Sequence, residues 1–130
     1  MSGYKILVID DEAGIRRSLE IHLRGAGYDV CAAETFAGGL GLTLSGELDL
    51  IICDLKLPDK SGIDIIRELK AQNANVPVVA LSGFQDRQMI EEAKAAGAIE
   101  YLVKPCPRQR LLDTVRDVLS LGRTEGQNGR

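Results

Sequence analysis

The segment Tyr4–Glu12 reads YKILVIDDE, a run of apolar, strand-type residues that stops at three consecutive acids. A continuous apolar run favours a buried strand, because strands covered on both faces show no polar alternation. Polar residues directly after such a strand are typical of α/β proteins, whose ligands bind at the carboxyl ends of parallel strands. The acids at 10–12 are therefore the first candidates for a functional site.

Three further segments repeat this arrangement. Apolar runs end at Asp54 in LDLIICD, at Ser82 in VPVVALS and at Lys104 in IEYLVK. Amphipathic segments with helical spacing separate the runs. The predicted strands are Lys5–Ile9, Asp29–Ala33, Leu48–Cys53, Pro77–Ser82 and Ile99–Val103, and the predicted helices are Gly14–Ala26, Thr35–Ser45, Ile63–Gln72, Asp86–Ala96 and Arg108–Leu121. This alternation predicts an α/β fold with a parallel sheet covered by helices on both faces.

One domain accounts for the chain. Its 130 residues are enough to bury a core, and we expect the domain to cover residues 1–121. The last segment, GRTEGQNGR at 122–130, is polar and without periodicity, which predicts a flexible tail or the start of a linker. The helix over Thr35–Ser45 contains three glycines. Each costs about 1 kcal/mol relative to alanine, so this helix is predicted to be the least stable.

The composition narrows the class of protein. A net charge of −3 without a block of basic residues argues against direct binding of nucleic acid. There is no signal-peptide pattern and no apolar run of membrane-spanning length, so a cytoplasmic protein without membrane contact is expected. The cysteines are odd in number and lack C-x-x-C spacing, which predicts small buried hydrophobic residues rather than a disulfide or zinc site. They are Cys31, Cys53 and Cys106.

Asp10 and Asp11 admit two interpretations. Short acids after a strand cap the next helix and favour the positive end of its dipole, a role that also fits Glu12. Capping does not explain two consecutive carboxylates facing Asp54 on a neighbouring strand, because crowded like charges must share a proton or hold a cation. Oxygen ligands with room for water favour Mg²⁺. We favour metal binding, with capping by Glu12 as a compatible second role.

Asp54, Ser82 and Lys104 each have an ordinary structural explanation beside a chemical one. Asp54 can start a turn, or its carboxylate can act as a nucleophile that forms an acyl phosphate. Ser82 can shape a turn with Gly83, or donate its hydroxyl to a phosphoryl oxygen. Lys104, held between a strand and Pro105, can pair with an acid or neutralise a phosphoryl group. As a set with the acids, they predict a phosphoryl-transfer site.

Four motifs resemble, in order and spacing, the receiver domain of bacterial two-component response regulators. They are VIDDE at 8–12, CDLKLPDKSG at 53–62, ALSG at 80–83 and YLVKP at 101–105, and the resemblance covers nearly all of residues 4–121. It implies a flavodoxin-like, doubly wound sheet of five parallel strands in the order 2-1-3-4-5, with five helices on both faces. Cys106 departs from the family pattern, which frequently has a large aromatic residue after Lys-Pro.

The resemblance implies roles for the acids. Asp54 is implied as the phosphoacceptor, which takes a phosphoryl group from the phosphohistidine of a histidine kinase. Asp10, Asp11 and Asp54, together with the backbone carbonyl of Lys56, are implied as the site for Mg²⁺, with Mn²⁺ as an alternative ion. A receiver is expected to catalyse its own phosphorylation and dephosphorylation, and to act as a switch rather than as an enzyme with turnover.

The same resemblance implies how the switch acts. Ser82 matches the switch hydroxyl, Tyr101 matches the aromatic residue that turns inward on activation, and Lys104 is implied to pair with a phosphoryl oxygen. The signal is expected to be read on the face made by the fourth helix, fifth strand and fifth helix. Expected partners are a sensor histidine kinase or phosphotransfer protein, an output domain in cis or a protein partner in trans, and a phosphorylation-dependent homodimer.

Three other classes of protein fit the sequence less well. A phosphatase of the haloacid dehalogenase type needs a second Asp two residues after the nucleophile, where this chain has Lys56. A flavodoxin holds the flavin phosphate in a loop rich in Ser, Thr and Gly, whereas the acids at 10–12 would repel a phosphate. A receiver fold that serves only as a constitutive interaction module would not need the full set of acids, hydroxyl and lysine.

Overall fold

Five strands and five helices alternate along the chain. The computed structural model describes residues 3–44, 46–83 and 86–128, with the backbone alone described for 122–128. The strands are β1 Lys5–Ile9, β2 Asp29–Ala33, β3 Leu50–Asp54, β4 Val78–Ser82 and β5 Ala98–Val103, and the helices are α1 Ala13–Gly25, α2 Phe36–Leu44, α3 Ile63–Gln72, α4 Arg87–Ala96 and α5 Arg108–Asn128. Within these described residues, no helix is long and apolar enough to cross a membrane.

The five strands form one parallel sheet in the order β2-β1-β3-β4-β5. This confirms the predicted doubly wound, flavodoxin-like order. The chain winds from β1 outward to β2, and then crosses back to place β3 on the other side of β1, where Ile9 lies beside Cys53. In sheets of this type the crevice opens at such a reversal, outside the carboxyl ends of the strands. The ends of β1 and β3 therefore flank the expected binding site.

Helices cover both faces of the sheet, as predicted. On β1, Ile6 and Val8 face the layer that contains α1 and α5, whereas Leu7 and Ile9 face the layer that contains α2 and α3. Helix α4 completes the second layer over β4 and β5, through a smaller cluster of buried residues. That cluster is Leu55, Ile66, Ala80, Ala93, Ala98 and Tyr101. The sheet is thus buried on both sides, which explains why its strands are continuous apolar runs.

One glycine of helix α2, Gly39, is required by packing. A Cβ atom placed on Gly39 would overlap the side chain of Ile9 on β1, so only glycine allows this close approach between helix and strand. The sequence shows the cost of these glycines but not this contact, because the contact depends on how α2 lies on the sheet. The predicted end of this helix at Ser45 lies outside the described residues.

Helix α5 is longer than the sequence indicates. The prediction that it ends at Leu121 is wrong, since the helical backbone continues to Asn128. Once a helix has formed, each further residue adds a backbone hydrogen bond without needing an apolar stripe, so periodicity does not detect such an extension. The assignment of 122–130 to a tail or linker outside the domain stays a prediction, and residues 129 and 130 lie outside the described part.

Candidate functional site

The ends of four parallel strands bring the predicted site residues to one edge of the sheet. Asp10 follows β1 directly, Asp54 and Ser82 are the last residues of β3 and β4, and Lys104 follows β5. Sheet hydrogen bonds hold these ends in register. The backbone N–H of Asp10 donates to Ala33 at 3.1 Å, and that of Lys104 donates to the carbonyl of Ser82 at 2.8 Å. The backbone positions of these residues are therefore set by the sheet itself.

Four carboxylates form one cluster at this edge. One oxygen each from Asp10, Asp11, Glu12 and Asp54 lies within 4.8 Å of the others. Asp10 is fully buried and Asp54 is 2% exposed, whereas Asp11 and Glu12 are exposed to solvent. The cluster is thus buried on the sheet side and open on the other, as a site for a hydrated cation requires.

The Lys104 ammonium lies among these acids. Its Nζ is 2.7 Å from Asp54 Oδ2, 2.7 Å from Glu12 Oε1 and 3.3 Å from Asp10 Oδ2. Burial by itself lowers the pKa of Lys104, but the hydrogen bonds to Asp54 and Glu12 and the nearby negative charges outweigh burial and raise this pKa. The lysine therefore stays charged and offsets part of the repulsion within the acid cluster.

Asp10 is the acid of this cluster whose ionised form is disfavoured by burial. Burial raises the pKa of its carboxyl, against the opposing effects of the hydrogen bond from the Glu12 backbone N–H and of the Lys104 charge. Its Oδ1 accepts that N–H at 2.9 Å, but its buried Oδ2 accepts no hydrogen bond within the described residues. A buried oxygen aimed into a carboxylate cluster, with an ammonium only at 3.3 Å, fits a metal ligand.

The Asp54 carboxylate is oriented by one bond on each oxygen. The backbone N–H of Lys56 donates to Oδ1 at 3.0 Å, and the Lys104 ammonium binds Oδ2 at 2.7 Å. The loop that supplies Lys56 closes on itself, because the N–H of Gly62 donates to the carbonyl of Leu55 at 2.7 Å. The acid that the sequence predicts as nucleophile is therefore held in one orientation.

The two predicted switch residues lie beside the acids, toward α4. The Ser82 hydroxyl is 3.9 Å from the Met89 sulfur of α4. The Tyr101 side chain is 5% exposed and packs in the cluster beneath α4. The resemblance implies an inward turn of Tyr101 on activation, but in this structure the Tyr101 ring is already buried. An open cleft of about 570 Å³ lies here between α4 and the loop after β3, and its lining includes Lys56 and Ser82.

Two contacts in the site were missed by sequence reasoning. Glu12 occupies the N-cap position of α1, but its side chain makes no capping bond and binds Lys104 instead, so its predicted capping role is wrong. Arg16 donates from its guanidinium to the backbone carbonyl of Asp10 at 2.9 Å. The position of Glu12 next to two acids could have indicated that it belongs to the same charged site. Nothing in the sequence identified the partner of Arg16.

The three cysteines form no disulfide. Cys53 is fully buried directly before Asp54, and burial raises the pKa of its thiol well above the usual value. Cys31 and Cys106 are half-buried, and burial raises the pKa of each of their thiols as well. Cys53 is part of a buried apolar cluster, as predicted, and Cys31 and Cys106 pack against the edges of the apolar clusters.

Comparison with known proteins places the chain in a family. The model of the response regulator receiver domain family matches residues 6–116. The chain therefore belongs to the response regulator receiver domain family. It is 31% identical to sporulation initiation phosphotransferase F of Bacillus subtilis over 121 residues, which make up 93% of this chain and 98% of that protein.

Solved structures agree with this assignment. A receiver domain protein from Methanospirillum hungatei superposes with a TM-score of 0.88 at 26% identity, covering 94% of this chain and 98% of that one. A receiver domain from Clostridium thermocellum gives 0.86 at 33% identity, covering 93% of this chain and 98% of that one.

Several relatives are much longer than this chain. Transcriptional regulatory protein ZraR of Salmonella typhimurium is 34% identical over 121 residues, which make up 93% of this chain but 27% of that protein. The cell cycle transcriptional regulator CtrA of Caulobacter vibrioides is 29% identical, and the match covers 95% of this chain and 54% of that protein. The chain thus corresponds to a quarter to a half of these two relatives.

Proposed function

We propose that Asp54 is the phosphoacceptor of this receiver domain. A carboxylate oxygen of Asp54 attacks the phosphorus of a phosphohistidine, the P–N bond breaks, and the imidazole leaves with its electron pair. The observation that carries this role is the orientation of the Asp54 carboxylate by the Lys56 N–H and the Lys104 ammonium, within a cluster of acids. Lys104 is then placed to neutralise charge that develops on a phosphoryl oxygen.

Asp10, Asp11 and Asp54 are proposed to hold a Mg²⁺ ion, with the backbone carbonyl of Lys56 as a further ligand. When bound, the ion neutralises negative charge on the phosphoryl group. The buried Oδ2 of Asp10, with no hydrogen-bond donor among the described residues, supports this assignment. Glu12 belongs to the same cluster but is exposed and bonded to Lys104. It is proposed to compete with Asp54 for the Lys104 ammonium and not to be required as a ligand of the ion.

The experiment that tests this function is incubation with acetyl phosphate, a small phosphodonor. With Mg²⁺ present, the mass of the chain should increase by one phosphoryl group. With a chelator in place of Mg²⁺, the increase should be lost, because the acid cluster would then repel an incoming phosphate. Intact-protein mass spectrometry reads both results. Equal phosphorylation with and without the metal would contradict the proposed ion site.

Phosphorylation is proposed to change the face made by α4, β5 and α5. The new phosphoryl oxygens attract the Ser82 hydroxyl away from Met89, which alters the contact between the end of β4 and α4. Because Tyr101 is already buried beneath α4, the change is expected to lock this ring in place rather than to turn it inward.

Amide hydrogen exchange tests the switch. Addition of acetyl phosphate and Mg²⁺ should slow exchange in Arg87–Ala96 and Ala98–Val103 by several-fold, while exchange in Lys5–Ile9 stays unchanged. A variant with Ser82→Ala should accept the phosphoryl group but lose most of this slowing. Unchanged exchange in α4 and β5 of fully phosphorylated wild-type protein would show that this face is not the switch.

The chain is proposed to act as a phosphoryl acceptor with one phosphoryl group per cycle, not as an enzyme that turns over a substrate. Its donor is a histidine kinase or a phosphotransfer protein, and Mn²⁺ can replace Mg²⁺. The output is either a domain in cis, as the longer relatives suggest, or a protein partner in trans, which includes a second copy of the chain. Size-exclusion chromatography before and after phosphorylation distinguishes a homodimer from a monomer.

A further inference from the structure

The carboxylate of Asp59 caps a helix that lies far away in the sequence. Asp59 belongs to the loop 55–62 that follows β3, yet its Oδ1 accepts the backbone N–H of Phe36 at 2.8 Å and its Oδ2 accepts that of Ala37 at 2.9 Å. These are the first residues of α2, whose N–H groups have no acceptor within the helix. The acceptor normally comes from the residue just before the helix. Here it comes from the loop that begins at the site.

Two further contacts join the same loop to α2. The Lys60 ammonium lies 5.3 Å from the centre of the Phe36 ring, a cation–π distance, and also pairs with Glu68 of α3 at 2.9 Å. The Phe36 ring is buried in the same apolar cluster as Leu57 of the loop. The loop and the first turn of α2 are therefore connected by hydrogen bonds, a cation–π contact and apolar packing.

The same loop also contacts Asp54. Lys56 and Ser61 form a short antiparallel bridge, and the N–H of Leu57 donates to the carbonyl of Lys60 at 3.0 Å, so the loop is a compact unit. At its start, the N–H of Lys56 donates to the Asp54 carboxylate at 3.0 Å. A continuous series of contacts thus runs from the first turn of α2 to the proposed phosphoacceptor.

We propose that Asp59 is a positioning residue for phosphoryl transfer, which fastens the loop to α2 and so fixes the backbone of Lys56 relative to Asp54. This inference rests on the proposed role of Asp54. The N–H groups of Ala37 and Phe36 lower the pKa of Asp59, so its carboxylate is ionised at neutral pH and offers both oxygens. The glycine-rich α2 has weak intrinsic stability, which makes an external cap important for its first turn.

The test compares two ways of removing a cap from α2. Thr35 also caps this helix, because its Oγ1 accepts the N–H of Gly38 at 3.0 Å, but among the described contacts it has none with the loop. In metal-free protein, Asp59→Ala should speed amide exchange at Lys56–Gly62 as well as in α2, by about fivefold to tenfold. Thr35→Ala should speed exchange in α2 alone. Unchanged exchange at Lys56–Gly62 in Asp59→Ala, or equal acceleration there in both variants, would overturn the proposal.

A second measurement separates positioning from simple loss of structure. In acetyl phosphate reactions, Asp59→Ala should raise the Mg²⁺ concentration for half-maximal rate by about fivefold, because the carbonyl of Lys56 is no longer held in place. Thr35→Ala should leave this concentration unchanged, and Asp59→Asn, which keeps one acceptor oxygen, should give an intermediate value. An unchanged Mg²⁺ requirement in Asp59→Ala contradicts the positioning role. Failure of wild-type protein to accept a phosphoryl group would instead refute the proposed function, and the exchange experiment would still decide whether Asp59 orders the loop.

Discussion

Replacement of Asp54 by alanine is expected to abolish phosphoryl incorporation from acetyl phosphate while the protein stays folded. The variant removes the oxygen proposed to attack phosphorus, so the signal in mass spectrometry should fall to the level of an unreacted sample. Folding should survive, because Lys104 keeps Asp10 and Glu12 as partners. A change in the free energy of unfolding of no more than about 2 kcal/mol is expected, since the substitution leaves the Lys56 N–H without its acceptor.

Two matched variants make this result specific. Asp54→Asn keeps the size of the side chain and an acceptor for the Lys56 N–H, and should also fail to accept a phosphoryl group. Asp64→Asn removes an exposed carboxylate in the first turn of α3, near the same edge of the sheet, and should react like wild-type protein. Retained incorporation in Asp54→Ala, or its loss in Asp64→Asn, would mean that another carboxylate is modified.

Replacement of Asp10 by asparagine is expected to have opposite effects on stability and on metal binding. The buried Asp10 carboxylate has a raised pKa and an oxygen without a hydrogen-bond donor among the described residues, so its ionised form destabilises the fold at neutral pH. The neutral amide should raise the free energy of unfolding by roughly 1 kcal/mol. The same change should weaken Mg²⁺ binding by roughly tenfold or more, and phosphorylation should become correspondingly slow.

The gain in stability should depend on pH in a defined direction. Because the folded pKa of Asp10 lies above its unfolded value of 3.8, the wild-type protein loses stability as pH rises through this interval. The advantage of Asp10→Asn should therefore be full at neutral pH and disappear below about pH 4, where Asp10 is protonated in both states. Urea unfolding with a chelator present measures it, and excess Mg²⁺ should reverse the order of the two proteins.

Asp11→Asn is the control for the Asp10 substitution. Asp11 is exposed, so it loses little solvation on folding, and its replacement should weaken Mg²⁺ binding without raising stability. If Asp10→Asn is no more stable than wild-type protein in the metal-free state, then the charge of Asp10 is already well compensated by Lys104. That result would remove the main argument for Asp10 as a metal ligand.

The sheet and its edge of polar residues could be predicted from the sequence because both follow from local pattern. Apolar runs such as KILVI identify buried strands, and parallel strands place their carboxyl ends at one edge. The convergence of Asp10, Asp54 and Lys104 follows from these two facts without any side-chain detail. The predicted end of β3 differs from the structure by one residue, since Asp54 itself belongs to the strand.

The contacts that were not predicted depend on the path of the loops and on the orientation of side chains, which local sequence patterns do not specify. The bond from Asp59 to α2 joins residues more than twenty positions apart through an irregular loop. Glu12 has the sequence position of a helix cap. Its carboxylate binds the Lys104 ammonium instead, because a hydrogen bond between two charged groups is stronger than one to a neutral backbone N–H. Tyr101 is buried because α4 packs over it, and the pattern of apolar residues in β5 does not specify where α4 lies.

Chemical reduction identifies the residue that carries the phosphoryl group, which is proposed to be Asp54. Borohydride converts an acyl phosphate to an alcohol, so it should change a phosphorylated aspartate into homoserine and leave a free carboxylate unaltered. After treatment with acetyl phosphate and Mg²⁺, peptide mass spectrometry should find homoserine at position 54 and unmodified aspartate at positions 10 and 11. Homoserine at another acid, with position 54 unchanged, would show that Asp54 is not the phosphoacceptor.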